Sequence, residues 1–305
     1  VLPHERTLAG PKADRLKMLR ATRANLSSVF MLYEDREQIL AETLSSALEQ
    51  GEDAVEARDD AGVEYRVVAL RDPDAIARIE SFLAERPVVI ADGHHRYETA
   101  LAYREEQREA HPNAGATAPF ESTLVYLANA YAPGSLLLPI HRVVRGAGLP
   151  SADAWAQKLP GWQRKDVPMS SGPEVASLLE QHLAPLAGRP AFAAEDASGT
   201  LAIFSRDEPL GEELMVRVFE RDVLGGVFGL SPDAVRDGAV SFPKSAERAA
   251  REVRDEEGVA LYLNPLSPDD VFRVTGAGDV MPQKSTFFYP KIPTGFVFRV
   301  HEDDA

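Results

Sequence analysis

The stretch VVIADGHHRYETALAYREE, residues 88–106, passes from a β-branched apolar run into a polar segment of helical composition. The run follows Pro87 and reads as a short strand. From His95 onward, Tyr97, Ala100, Leu101 and Arg104 share one helical face. Asp92, Gly93 and His94 therefore mark a strand-to-helix turn. Such a turn exposes backbone N–H groups at the positive end of a helix dipole and suits an anion, and Gly93 lets a ligand approach the backbone. His94, His95 and Arg96 add donors, arginine offering a planar fork for phosphate oxygens. Asp92 fits such a site if it holds Mg²⁺ or orients a nucleophile. The same residues also fit a plainer reading, with Asp92 as an N-cap and the histidines as a polar first turn that binds nothing. Adjacent histidines on a helix diverge by about 100°, so a shared metal is not expected.

Working outward, a helical pattern covers about Lys12 to Ala24, SVFMLY reads as a strand, and a helix is expected from Asp35 to Glu49. Alternation around Asp60-Ala61-Gly62 predicts a hairpin, and Pro73, capped by Asp72, opens a helix toward Ala84. Beyond the central stretch, STLVYLANA and SLLLPIHRVV read as strands. Helices near 151–159 and 174–183, strands AFAAE and TLAIFS, a long helix from Glu212 to Leu224 and a helix stopped by Gly258 follow, then the strand VALYL. STFFYPKIPTGFVFRV looks like paired C-terminal strands. The alternation predicts an α/β (α+β mixed) fold with a mixed sheet, and the length predicts two lobes, 1–147 and 148–305.

Hydrophobic residues at 44% and charged residues at 27% are ordinary globular usage, and no apolar run approaches the ~20 residues of a membrane span. No membrane partner is expected. With no secretory pattern in view, the cytoplasm is the expected location. No cysteine is present, which excludes disulfides and thiol nucleophiles. The formal charge of −15, from 48 acidic against 33 basic residues, disfavours binding to a nucleic-acid backbone, whereas a local basic pocket suits a small polyanion. A P-loop and a Gly-x-Gly-x-x-Gly signature are both missing, so Walker-type and ordinary dinucleotide sites are disfavoured.

VLPHERT, KADRL, ATRAN, IADGHHRYETAL and MPQKSTFFYPKIPTG together resemble the family catalogued as domain of unknown function 1015, over essentially the whole chain. PHE and DGHHR are also similar to free L-serine kinases of the ParB/sulfiredoxin-like fold, in which such motifs form a phosphoryl-transfer site. That resemblance implies a ParB/sulfiredoxin-like mixed-sheet lobe carrying the turn, followed by a second α/β lobe. It also implies a phosphotransferase that moves a phosphoryl group from ATP, ADP or pyrophosphate to a small metabolite's hydroxyl, with free L-serine giving O-phosphoserine as the leading case. Carried over by motif, Glu5, Asp92 and His95 belong to the catalytic set. Glu5 is the base, Asp92 and Glu5 stand near Mg²⁺, and His94, His95, Arg96 and Gly93 hold donor phosphates, with His4 and Arg6 beside them. Sulfiredoxin activity needs a cysteine that this chain lacks. ParB-type DNA partitioning needs a basic recognition helix that is not found.

By the same resemblance the C-terminal segment of the second lobe returns to the site of the first, where Lys284, Ser285, Thr286 and Lys291 in MPQKSTFFYPK would form the second half of the anion site; the plain alternative is a C-terminal hairpin with exposed lysines. His141, ending a strand, either faces that cleft or is structural. The reading from another class is a nucleotide-binding regulatory or scaffold protein without turnover.

Overall fold

A computed structural model describes residues 1–5, 10–60, 62–146, 149, 152–169, 175–195, 200–255 and 258–301. Arg6, Ala61 and the expected lobe boundary at 147/148 lie outside the described residues. The chain forms two compact units. The first comprises Val1–Leu136, Phe272–Val280 and Phe288–Ala305; the second comprises Leu137–Val271 and Met281–Phe287. Each combines helices with a sheet, so the fold is mixed α/β. Among the described residues, no helix is long and apolar enough to cross a membrane.

The first unit begins with β1 (Leu2–Pro3), α1 (Gly10–Thr22), β2 (Ala24–Asn25), β3 (Val29–Tyr33) and α2 (Ala41–Gln50). The ribbon β4 (Glu52–Arg58) and β5 (Glu64–Ala69) follows, then α3 (Pro73–Ala84), β6 (Val89–Asp92), α4 (His94–Ala110) and β7 (Val125–Asn129). Its sheet runs β1-β6-β3-β7, with β1 parallel to β6, β6 antiparallel to β3, and β3 parallel to β7. All five residues of β3 are buried. Val29, Met31 and Ile90 pack together on one side, and Tyr33, Leu40 and Phe82 form a second cluster. Strand β6 is thus a central strand that ends at the turn of interest, and α1 packs along α4.

Asp72 caps α3 as expected, accepting from Asp74 and Ala75. Two other expectations change. The helix placed at Asp35 starts at Ala41, because the buried Asp35 carboxylate accepts the N–H groups of Ile39 (2.8 Å) and Leu40 (3.0 Å) and holds residues 35–40 as a turn. The C-terminal strands do not pair with one another as a hairpin. The last, β16 (Arg299–Val300), pairs antiparallel with β2, Arg299 opposite Asn25.

SLLLPIHRVV is two strands rather than one, β8 (Leu136–Leu138) and β9 (Arg142–Arg145), interrupted at Pro139, which cannot donate to a ladder. The second unit continues with α5 (Ala152–Lys158), β10 (Gln163–Pro168), α6 (Val175–His182), β11 (Ala191–Glu195), β12 (Thr200–Ser205), α7 (Met215–Phe219), α8 (Pro232–Ala234), β13 (Val240–Ser241), α9 (Ala246–Asp255) and β14 (Gly258–Leu263). Its sheet, β10-β12-β11-β14-β9-β13, is antiparallel throughout. One face packs Trp155, Phe192, Phe204 and Phe219; the other packs Val143, Leu183, Ile203 and Tyr262. The helix expected over 212–224 is α-helical only from Met215 to Phe219 and passes into a π-helical segment, Glu220–Gly225. Gly258 opens β14 rather than merely stopping the helix before it. Helix α10 (Pro268–Gly276), whose residues from Phe272 belong to the first unit, and strand β15 (Phe287–Tyr289), which belongs to it from Phe288, complete the order before β16.

Candidate functional site

Strand β1 lies parallel beside β6, with Leu2 opposite Val89 and Pro3 opposite Ile90, and this register carries His4 and Glu5 to the end of β6 where the turn begins. His94, first residue of α4, fastens them there. Its Nε2 accepts the backbone N–H of His4 at 3.2 Å and that of Glu5 at 3.4 Å. A ring nitrogen that accepts carries no proton, so His94 is neutral with its proton on Nδ1. Burial, only partly countered by Asp92 and Glu98, keeps its pKa below the ordinary histidine value. The PHE and DGHHR motifs, far apart in the chain, therefore meet through one imidazole.

His4 is buried at 3% exposure, and its Nδ1 contacts the Ile90 carbonyl. A carbonyl only accepts, so His4 carries its proton on Nδ1 and a lone pair on Nε2. Burial, reinforced by His94, lowers its pKa to about 4. The 3.8 Å approach of its Nε2 to Glu5 Oε1 is consequently not an ion pair at neutral pH. The Glu5 side chain is 29% exposed, open enough to meet a solute.

Gly93, not Asp92, is the N-cap residue of α4, at φ +93°, and no side chain caps the helix. Asp92 is instead the last residue of β6 and stands between two cations. Arg96 donates to its Oδ2, and Lys291 Nζ lies 3.0 Å from its Oδ1. Burial alone would raise the carboxyl pKa, but Lys291, then Arg96, more than offset it and leave Asp92 below its ordinary value.

The space over Gly93 is not open to a ligand. A Cβ there would fall 2.7 Å from Arg96 Nε and 2.8 Å from its guanidinium carbon, so Arg96 is laid across the turn, with a further bond to the Ser28 carbonyl. Glycine is required twice over, for its positive φ and for this close approach. The anionic guest envisaged against the Gly93 amide would meet the Arg96 guanidinium instead. His95 Nδ1 is buried with no hydrogen-bond partner among the described residues.

The metal reading fares less well. Both Asp92 oxygens are taken by cations, and among the described residues no group of three acidic, histidine or cysteine side chains is placed to hold an ion. As placed, Asp92 serves two cations, which disfavours it as a Mg²⁺ ligand.

The remaining predicted residues divide between the units. Lys291 joins the turn, and Phe288, near it in the chain, sets its ring 5.4 Å from the His4 ring. His141, Lys284, Ser285 and Thr286 belong to the second unit. His141 is buried and accepts at Nδ1 from the Leu263 N–H at 3.4 Å, and burial takes its pKa down to about 4. Ser285 donates to the Pro282 carbonyl at 2.6 Å, Lys284 is exposed with φ +58°, and Thr286 is partly buried. Sequence reasoning missed Arg142, 1% exposed, which donates to the Ile140 carbonyl and, at 3.2 Å, to that of Lys284. Its one sequence signal was a charge inside the strand run IHRVV.

The sequence profile of the family described as "Protein of unknown function (DUF1015)" matches residues 1–184, more than half of the chain. The chain belongs to the DUF1015 family. No curated protein matches this DUF1015 chain. Among solved structures it is similar to a mutant free serine kinase in complex with ADP, at 10% identity and a TM-score of 0.43, covering 94% of this chain and 83% of that one. A free serine kinase in complex with AMP is 13% identical with a TM-score of 0.40, at the same coverages. A conserved hypothetical protein from Pyrococcus furiosus is 12% identical with a TM-score of 0.40, covering 96% of this chain and 89% of that one.

Proposed function

We propose that this DUF1015 protein is a phosphotransferase that moves a phosphoryl group from a nucleotide or pyrophosphate to the hydroxyl of a small metabolite, with free L-serine as acceptor and O-phosphoserine as product. The observation that carries the reading is the pair of bonds from the His4 and Glu5 amides to His94 Nε2, which set a partly exposed carboxylate beside a turn bearing Arg96 and Lys291. Phosphoryl transfer asks for little else from a protein than alignment, charge neutralisation and one proton acceptor.

In this scheme the acceptor hydroxyl gives its proton to a Glu5 carboxylate oxygen as its oxygen bonds to the terminal phosphorus. The bond from that phosphorus to the bridging oxygen breaks, and the bridging oxygen leaves with the remainder of the donor. Arg96 and Lys291, held near the start of α4 by Asp92, face the growing negative charge on the phosphoryl oxygens. His4 and His94, both neutral, fix the backbone beneath Glu5 and add no charge of their own.

The test is incubation of the intact protein with L-serine, Mg²⁺ and ATP, ADP or pyrophosphate in turn, with O-phosphoserine read by ³¹P NMR. Product with at least one donor is expected; none with any donor removes serine as the acceptor. A second reading, a nucleotide-responsive binder without turnover, draws on the pairing of Asp92 with Lys291 and Arg96, which engages both its oxygens with cations and gives the carboxylate a structural task in place of a chemical one. In that case a nucleotide binds and no donor yields product.

A further inference from the structure

Strand β9 opens with a charge set inside the second unit. Arg142 is 1% exposed, and its guanidinium lies 5.5 Å from the centre of the Phe242 ring and 6.0 Å from that of Phe219. Among the described residues it forms no ion pair. Burial takes its pKa down to about 10 against the pull of Glu220, so the group stays cationic at neutral pH. It donates instead to two backbone carbonyls, those of Ile140 and Lys284, and its Nε has no partner among the described residues. A buried cation without a paired carboxylate destabilises a core, and an apolar side chain there would be more stable. What the arginine supplies is geometry: charge-assisted bonds from one planar fork fix the two carbonyls relative to each other.

One of those carbonyls belongs to a strained residue. Lys284 has φ +58°, a conformation that glycine takes freely and a lysine does not. Ser285, 6% exposed, closes the same turn by donating from Oγ to the Pro282 carbonyl at 2.6 Å. The Lys284 side chain so presented is exposed, and among the described residues its ammonium has neither an ion pair nor a hydrogen bond, in a chain with 48 acidic residues. Backbone strain persists only where the surroundings over-determine it. Here both holds act on the backbone of the turn, and the cation it carries is left unmet.

We infer that the second unit presents Lys284 as a contact for an oxyanion, a phosphate or a carboxylate, and that Arg142 is the positioning residue that aims it through the Lys284 carbonyl. Arg142 is too buried to meet a solute itself. A lysine where glycine would be unstrained, and a charge where an apolar side chain would be more stable, then have one explanation. That role concerns the second unit alone and holds whether or not the protein transfers a phosphoryl group.

Calorimetry on the intact protein with pyrophosphate and with L-serine tests this and tells a phosphate from a carboxylate. Lys284→Gln removes the charge and keeps the strain; it should weaken one of the two ligands about tenfold and leave the urea midpoint unchanged. Lys284→Gly should weaken the same ligand as much, with a higher urea midpoint than Lys284→Gln because glycine takes this φ freely. Arg142→Lys keeps a charge but not the fork, so it should weaken that ligand about tenfold in the wild type and add nothing in the Lys284→Gln background. A merely structural arginine would lower the urea midpoint and leave the affinity of the folded protein as it was. If Arg142→Lys does not fold, Ser285→Ala, which loses only the bond to the Pro282 carbonyl, carries the same expectation in its place. Neither ligand bound by the wild type, or both affinities unmoved by Lys284→Gln, overturns the oxyanion contact. Additive losses from the two positions overturn the role of Arg142.

Discussion

Lys291 Nζ lies 3.0 Å from Asp92 Oδ1, a contact closed across 199 residues of chain, and with Arg96 on the other oxygen it makes Asp92 the anchor of a cationic turn. The carboxylate then serves to place two positive groups, and its ionised form is the one they favour.

Lys291→Met removes the first of the charges that lower the Asp92 pKa, leaving burial to dominate. The Asp92 pKa should rise, read by carboxyl NMR titration, and phosphate-donor affinity should fall about tenfold, as expected for loss of one charge-assisted contact. An unchanged titration would mean that Lys291 does not hold Asp92 in solution.

Glu5→Gln keeps size and hydrogen bonding but removes the proton acceptor. Turnover should fall by roughly 10²- to 10⁴-fold with donor affinity within about a factor of two. Equal loss in affinity and rate would make Glu5 a binding residue and remove it from the chemistry.

Gly93→Ala meets two penalties, a φ of +93° and the Arg96 guanidinium at 2.7 Å, whereas at Gly62, φ +82°, an added methyl would meet nothing within 4 Å. Gly93→Ala should destabilise by about 1–3 kcal/mol and Gly62→Ala by about 1 kcal/mol, from urea midpoints. Adding Arg96→Ala should restore part of the Gly93→Ala loss, a coupling that a double-mutant cycle reads directly. Strict additivity of the two changes would show that Arg96 does not lie over the turn.

What was legible in the sequence was local. Asp72 before Pro73 marks a helix start because the side chain and the ring act within one turn, and the switch of periodicity at Asp92–His94 marks β6 and α4 because burial on a central strand demands an apolar run. The misreadings came from partners distant in sequence. Asp35 reads as the opening of a helix, but its carboxylate instead closes a turn that Asn129 also binds. Residues 299–300 pair with β2, a choice of strand partner that residue composition does not encode. At the site, the motifs named the right neighbours, yet the covering of Gly93 by Arg96 and the occupation of both Asp92 oxygens depend on side-chain directions that spacing does not report.

Acid should weaken the protein before its carboxylates titrate. Burial takes His4 and His141 down to about 4, below the ordinary histidine value of 6.5, so each folded site favours the neutral ring. A group with a depressed histidine pKa contributes its full stability above the unfolded value and loses it as pH falls toward the folded value. The window therefore runs from about pH 6.5 to about pH 4, each histidine contributing a slope of up to about 1.4 kcal/mol per pH unit. Asp92, also depressed, adds its loss only below the ordinary aspartate value, about 3.9, so the two effects separate on the pH axis. His4→Asn retains a donor for the Ile90 carbonyl and cannot titrate, and His141→Asn likewise keeps an acceptor at the Nδ1 position for the Leu263 N–H. Urea midpoints measured across that window should fall steeply for the wild type and less steeply for each variant. Parallel curves for all three proteins would show that neither ring is held neutral by burial.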